Sequence, residues 1–329
     1  MEREQSKNLD VSLMLAFTSI QTMGIEYEVT KQEMMNYIFE FYDSLDRVDL
    51  KEVSKRLSKL EKARLDRKIR GMLKDDVPGH WKNTLSTVSK QSTVSRKSAL
   101  KIYLYHELYR LGEIEKTEIE RVSYEIYKES RDKQLYDLCL LIGVTTLFSR
   151  TNKNELMKIL DLGWSPDKLN YKQRINNHVN KAIEDIDLVI EKAIKTAQRP
   201  VDTISQVSKR VDVMKSKADS LITTDGTYAH ELGVMRGYDE FGLESYQNVA
   251  TLDERTSDIC RDMNLSVFYV KDAEVGVNAP PFHAYCRTIT VPIESGEVEQ
   301  GASRWGNSPI YKLDKDTSFE EWRRKRIVN

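Results

Sequence analysis

Two of the chain's three cysteines and one of its five histidines fall within one short window. ATLDERTSDIC ends at Cys260, and PPFHAYCRTITVP runs from Pro280 to Pro292 with His283 and Cys286 inside it. Thiolate and imidazole are the donors that zinc prefers, and a closed structural site takes four of them. Cys260, His283 and Cys286 supply three. Asp253 is the candidate fourth, or a water completes the shell, which leaves the open position of a catalytic zinc. The preferred reading is a packed or hydrogen-bonded Cys/His cluster with no cofactor; zinc is the alternative, and a Cys260–Cys286 disulfide formed outside the cell is a third. Catalysis is a further alternative, since Arg255, His283 and Arg287 could hold a phosphate and move a proton. The chain offers no paired carboxylates, no Gly-rich phosphate loop and no nucleophile with an evident base, so no catalytic residue is assigned and no enzyme is expected.

These residues need elements to position them. Asp253 stands two residues before Arg255, the spacing of an Asx turn, and Thr256 or Ser257 can cap a short helix over SDICRDM that turns Cys260 inward. His283 and Cys286 sit where a loop stiffened by Pro280 and Pro281 enters the strand CRTITVPI, with Ile289 and Val291 on one face and Thr288 and Thr290 on the other. ESYQNVATL and DMNLSVFYV supply two more short β runs. Residues 244–293 therefore read as a small α/β module of short antiparallel strands and one short helix.

The rest of the chain reads as helix, so the fold class is mainly α: a long helical N-terminal body carrying that small C-terminal module. In QRINNHVNKAIEDIDLVIEKAI, Ile175, Val179, Ile183, Ile186, Ile190 and Ile194 recur at steps of three and four and form one stripe. A second helix follows Arg199-Pro200 through Ile204, Val207, Val211, Met214, Ala218 and Leu221, and its continuation stops at Gly242, a C′ glycine. The expected segments are a helical N-terminal region over 1–80, a helical body over 81–243, the module over 244–293, and a tail over 294–329. A seam is expected between Asp75 and Ser98, where DDVPGHW and STVSKQSTVSRKS interrupt the pattern. In the tail, SGEVEQGASRWGNSP reads as loop, and TSFEEWRRKRIVN as a helix with Ser318 and Glu321 at capping-box spacing.

Charge is unevenly spread. The net value is -1, yet Arg47 to Lys101 holds 16 Lys or Arg against 6 Asp or Glu. Such a segment is either a solvated helix face or a contact for nucleic acid or an acidic protein, through Lys55, Arg56, Lys59, Arg64, Arg67, Lys68 and Arg70. Without interleaved aromatics, a DNA contact there would go to phosphates and carry no sequence preference. Three cysteines are too few for a disulfide framework, which points to a reducing compartment for folding. The apolar run Val11 to Ile20 follows acidic residues and is too short to cross a bilayer, so neither a signal peptide nor a transmembrane helix is expected.

The pair LDERTSDICRDM and PPFHAYCRTITVP resembles the C-terminal signature of the Mu F-like phage head morphogenesis family, the minor capsid proteins of tailed phages. That signature is an Asp-x-Arg-Thr turn, a Cys four residues after the Thr, and Pro-Pro-x-His-x-x-Cys-Arg leading into a strand. Asp253, Arg255, Thr256, Cys260, Pro280, Pro281, His283, Cys286 and Arg287 match it, and the resemblance spans Thr223 to Pro292. Ser257 stands where some members carry another Cys, which removes the natural fourth zinc ligand. Met263-Asn264-Leu265 replaces a frequent Asp-Gly turn. The resemblance implies a non-catalytic virion component made in the host bacterial cytoplasm. It would act at the portal or inside the head in procapsid assembly, DNA packaging or DNA delivery. Its partners would be the portal protein, a capsid or scaffolding protein and packaged double-stranded DNA. The alternative is a metal-dependent phosphodiesterase, nuclease or toxin-like enzyme built on the Cys/His cluster. On the structural reading, Asp253, Arg255, Thr256, Cys260, His283, Cys286 and Arg287 cross-link a domain too small to be robust through its apolar core alone.

Overall fold

The computed structural model describes residues 2–45, 50–165, 167–293, 305 and 308–328. The Arg47 end of the basic segment and most of the expected loop over residues 295–309 lie outside the described residues. The periodic stretches are helices: α1 (Glu2–Asp43), α2 (Leu50–Val53), α3 (Lys59–Met72), α4 (Gly79–Lys90) and α5 (Arg96–Ile142). After short strands β1 (Val144–Thr145) and β2 (Phe148–Ser149) come α6 (Lys153–Leu160), α7 (Tyr171–Lys195) and α8 (Pro200–Phe241). The module contributes β3 (Ser245–Val249), α9 (Asp258–Met263), β4 (Val267–Tyr269) and β5 (Ile289–Pro292). The C-terminal segment contributes β6 (Tyr311–Lys312), α10 (Phe319–Arg326) and β7 (Ile327–Val328). No helix among the described residues is long and apolar enough to cross a membrane.

Two compact units form, and each is discontinuous in sequence. One comprises residues 1–19, 119–171 and 220–329, the other residues 20–118 and 172–219. They cut across the sequential segmentation expected at residues 80, 243 and 293, because α1, α5 and α8 each contribute to both.

In the second unit, α7 buries Ile175, Val179, Ile186, Ile190 and Ile194, and the first part of α8 buries Ile204, Val207, Val211, Met214 and Ala218, the stripes their spacing predicts. The expected seam at residues 75–98 is instead occupied by α4. Its Trp81 and Leu85 are buried with Leu65, Ile69 and Met72 of α3, so two anchoring side chains outweigh the polar Ser/Thr composition around them. Ser58 caps α3 in a full capping box with Glu61.

The first unit is built around Tyr136, Cys139, Phe148, Tyr238, Phe241, Tyr246, Trp305 and Trp322. The C-terminal segment, expected as a tail, belongs to this core. Trp322 is 1% exposed and its indole N–H donates to the Thr145 hydroxyl at 2.9 Å. β6 pairs antiparallel with β1, and β7 pairs parallel with β2. Ser318 accepts from the Glu321 amide as the cap of α10. α5 and α8 approach closely at Gly233, where a Cβ would lie 2.5 Å from the Tyr127 carbonyl oxygen.

The first turns of α1 meet α5 and α8 through a polar seam. Gln5 bonds to Gln134, Asn8 Nδ2 donates to Asp137 at 3.0 Å, and the Ser12 and Ser130 hydroxyls both reach His230 Nδ1, at 2.9 and 2.8 Å. These side chains are buried, while Val11, Met14 and Phe17 on the same helix are exposed. Burial holds the His230 imidazole down at about 4, so it is neutral in this seam at physiological pH.

Candidate functional site

Gly242, with φ of 93°, ends α8 and turns the chain into β3, the central strand of a three-stranded antiparallel sheet ordered β4-β3-β5. Two side chains on the inner side of α8 hold β5. The Thr290 hydroxyl donates to Glu231 Oε1 at 2.7 Å, and the Tyr238 hydroxyl donates to the Thr290 carbonyl at 3.0 Å. Thr290 is therefore buried, as is Thr288 just before the strand, although their alternation with Ile289 and Val291 marks the polar side. Burial pushes the Glu231 carboxyl up to about 8. Glu231 and Tyr238 went unnoticed in the sequence. The available signal was an acidic residue at the core spacing set by Thr227, Val234 and Tyr238.

The motif residues gather at the far side of the sheet, in two linked knots. In the first, the Arg287 guanidinium donates through Nη1 and Nη2 to the two oxygens of Asp253, both at 2.7 Å. The Arg255 amide closes the Asx turn onto Asp253 Oδ1 at 2.8 Å. The bidentate Arg287 contact, followed by the Arg255 amide, holds the Asp253 carboxyl well below the usual carboxylate range. Thr256 donates its hydroxyl proton to the Thr251 carbonyl at 2.6 Å and accepts from the Asp253 amide at 2.8 Å. Ser257, the other capping candidate, caps α9 by accepting from the Cys260 amide.

In the second knot, the ligand atoms of Cys260, His283 and Cys286 all lie within 4.8 Å of one another. Cys260 Sγ is 3.1 Å from His283 Nε2 and 3.6 Å from Cys286 Sγ. His283 Nδ1 faces the Ala284 carbonyl oxygen at 2.7 Å. A carbonyl can only accept, so Nδ1 carries the ring proton and Nε2 presents its lone pair to the sulfurs. With no cation, the chain of donation runs from Cys286 S–H to the Cys260 sulfur and from Cys260 S–H to Nε2. Burial pushes the Cys286 thiol up, which favours this protonated arrangement. The disulfide reading does not describe this structure: both cysteines are free, and their sulfurs stand well beyond the bonding distance of about 2.05 Å.

The three donors are of the types that zinc takes, and a small widening of the Cys260–His283 contact would admit the ion. Tetrahedral zinc with Zn–S bonds of about 2.3 Å holds two sulfurs about 3.8 Å apart, close to the separation found here. The Ala284 carbonyl supplies the outer partner that fixes a ligating imidazole. Asp253 does not join the group, because its two oxygens are committed to Arg287. Among the described residues no fourth Cys, His, Asp or Glu completes the set. The cavity beside it, lined by Arg255, Cys260, His283 and Arg287 among others, measures about 20 Å³. That is room for a water or an ion and far too little for a nucleotide.

The apolar core under these knots is small: Ala250, Cys260, Phe282 and Cys286 are buried, with Met263 packed against them. The hydrogen bonds and ion pair thus carry much of what fastens α9 and the 280–287 loop to the sheet.

The seven basic residues singled out in the sequence all belong to the second unit and all are exposed. Lys55 pairs with Glu52, while Lys68 pairs with Glu40 at 3.6 Å and lies over the Tyr37 ring. Arg56, Lys59, Arg64, Arg67 and Arg70 have no carboxylate partner among the described residues. At the end of the same segment, Lys97 and Lys101 are neutralised by Asp187 and Glu191 of α7.

Residues 184–291 match the model of the family described as Phage Mu protein F like protein. The match takes in the second part of α7, all of α8, and the module as far as β5, so it extends further toward the N-terminus than the motif resemblance. No curated protein and no solved structure matches the chain.

Proposed function

We propose that this protein acts in phage head morphogenesis as a minor, non-catalytic component of the head, associated with the portal. The observation that carries the reading is the family match over residues 184–291, within which the Asp253–Arg287 and Cys260/His283/Cys286 knots lie. Asp253, Arg255, Thr256, Cys260, His283, Cys286 and Arg287 all serve turns or cross-links within the module, as structural residues would. The cavity of about 20 Å³ at the cluster favours the same reading over a phosphodiesterase, which would need space for its substrate.

On this reading the module binds zinc through Cys260, His283 and Cys286, with the metal replacing thiol protons and tightening the knot. The exposed cations on and near α3 rest against packaged double-stranded DNA. Arg56, Lys59, Arg64, Arg67 and Arg70 suit that role because no internal carboxylate among the described residues competes for them. The family match supports interaction with other head components, and we assign the portal protein and a capsid or scaffolding protein as those partners.

Reversing the charge at Lys55, Arg56, Arg64, Arg67 and Lys68 tests the DNA contact. The variant should bind a random-sequence duplex at least tenfold more weakly and show a shallower dependence of log K on log salt, since fewer counterions are released. Unchanged binding would make this face a protein contact or simply solvated. A nuclease assay with and without added divalent ions tests the non-catalytic role. Binding without turnover is expected, and cleavage abolished by His283→Ala would replace it with the enzymatic reading.

A further inference from the structure

A second cationic site lies in the first unit, in a cleft of about 360 Å³ between α5, the end of β2 and α10. Its lining carries Lys128, Arg150, Arg323 and Arg324 against only two carboxylates, Asp132 and Glu320. Those opposing charges are not equally available. Asp132 is buried and already paired on both sides, with Arg131 at 2.7 Å and Arg323 at 2.9 Å. Arg323 is likewise spent on Asp132 and on Glu129 at 2.8 Å, and Lys128 on Glu125. Arg150 and Arg324 are what remains: both are exposed, and neither has an ion pair among the described residues. Glu320 is the one lining carboxylate without an ion pair among the described residues, and the neighbouring Glu321 is paired with Lys325.

The two guanidiniums are carried by a fixed frame. The Arg150 amide donates to the Val328 carbonyl at 3.0 Å, continuing the parallel pairing of β2 with β7. Beneath it, the buried Arg131 donates to the Ser149 carbonyl at 2.8 Å and also binds Asp132 and Glu240, tying β2 to α5 and α8. Arg324 stands on α10, which the buried Trp322 anchors. Donors approaching from two separate elements suit a tetrahedral oxyanion, whose oxygens accept from several directions, better than a planar carboxylate gripped by one fork. The cleft exceeds the volume of a bare phosphate ion, and its remaining wall includes Ile327 and Tyr124, whose ring has Lys128 and Lys153 near it at 5.7 and 5.9 Å.

We propose that this cleft binds a phosphate monoester of mononucleotide size, with Arg150 and Arg324 clasping the phosphate and the Tyr124–Ile327 wall facing the organic part. The site is independent of the α3 cations and of the Cys/His cluster. Calorimetric titration of the full chain at low ionic strength with inorganic phosphate, with adenosine monophosphate and with glutamate tests it. Saturable one-to-one binding of adenosine monophosphate is expected, weakened at least tenfold in R150Q/R324Q and unchanged in K181Q, which removes an exposed charge from α7. Tighter binding of the nucleotide than of inorganic phosphate is expected from the Tyr124–Ile327 wall, and equal affinities would overturn the choice of a monoester over free phosphate. The proposal fails if neither phosphate compound binds, if glutamate binds as well as phosphate, or if R150Q/R324Q binds like the parent. Both arginines are exposed, so a thermal melt matching the parent's checks that the variant is folded. A loss of DNA binding in the α3 variants bears on the proposed function alone.

Discussion

Replacing Glu231 with glutamine should stabilise the protein at pH 8.5 and leave it nearly unchanged at pH 5. Glu231 is fully buried on α8, where it accepts from the Thr290 hydroxyl of β5, and burial raises its carboxyl from 4.5 to about 8. The folded state therefore keeps a proton that the unfolded state gives up above about pH 4.5. Stability from this group is fully present below that pH and is lost as pH rises through about 8. The gap between the two values corresponds to at most roughly 5 kcal/mol, of which several kcal/mol should be realised at pH 8.5. Glutamine keeps a carbonyl oxygen for Thr290 and has no proton to lose, so it escapes the penalty. His230 titrates with the opposite sign, because burial depresses it to about 4 and its contribution is lost as pH falls from its ordinary 6.5. Both proteins carry His230, so it cancels from the difference. Urea unfolding followed by far-UV circular dichroism at the two pH values measures the effect. A Glu231→Gln difference independent of pH, or a destabilisation at pH 8.5, would refute the assignment of a buried, protonated carboxyl.

Other expectations are as direct. Purified protein should contain about one zinc per chain by mass spectrometry, lost in His283→Ala, whereas a metal-free parent would leave the cluster as a hydrogen-bonded knot. Gly233→Ala should cost about 1–3 kcal/mol, because its Cβ would meet the Tyr127 carbonyl at 2.5 Å. Gly24→Ala, whose Cβ has nothing nearer than Lys215 at 3.6 Å, should be neutral or gain up to about 1 kcal/mol in helix propensity. Equal effects of the two in denaturant titrations would mean that the close approach of α5 and α8 relaxes freely. Trp322→Ala should cost about 3–5 kcal/mol and Trp322→Phe about 1–2, the latter reading the loss of the bond to Thr145. A loss below about 1 kcal/mol in the alanine variant would mean that α10 is not fastened by its tryptophan.

What the sequence made legible was local. The stripes of α7 and α8, the stop at Gly242, the Asx turn at Asp253 and the three strands of the module all depend on spacing within a few residues. The convergence of Cys260, His283 and Cys286 was legible because cysteine and histidine are scarce in this chain and three of them fall in one window. Long-range pairing was not legible. Nothing near Thr290 announces that Glu231 will accept from it, and nothing near Ser257 or Cys286 shows that Asp253 will be taken up by Arg287 and withheld from a metal. α4 was hidden by its Ser/Thr content, since Trp81 and Leu85 outweigh composition only once α3 lies beside them. The C-terminal segment looked peripheral for the same reason: β1 and β2 are two residues long, and the strands that complete them come more than 150 residues later.

The seam between α1 and its neighbours has a consequence for how that helix is seated. Apolar ridges can slide by a turn and find nearly equivalent contacts, whereas matched polar groups cannot. A slip of one turn along α1 would part Gln5 from Gln134, Asn8 from Asp137 and Ser12 from His230 together, leaving several buried donors and acceptors unsatisfied at roughly 1–3 kcal/mol each. The seam thus works as a ratchet: it adds little to how tightly α1 is held but admits one axial position, and that position determines where Val11, Met14 and Phe17 meet solvent.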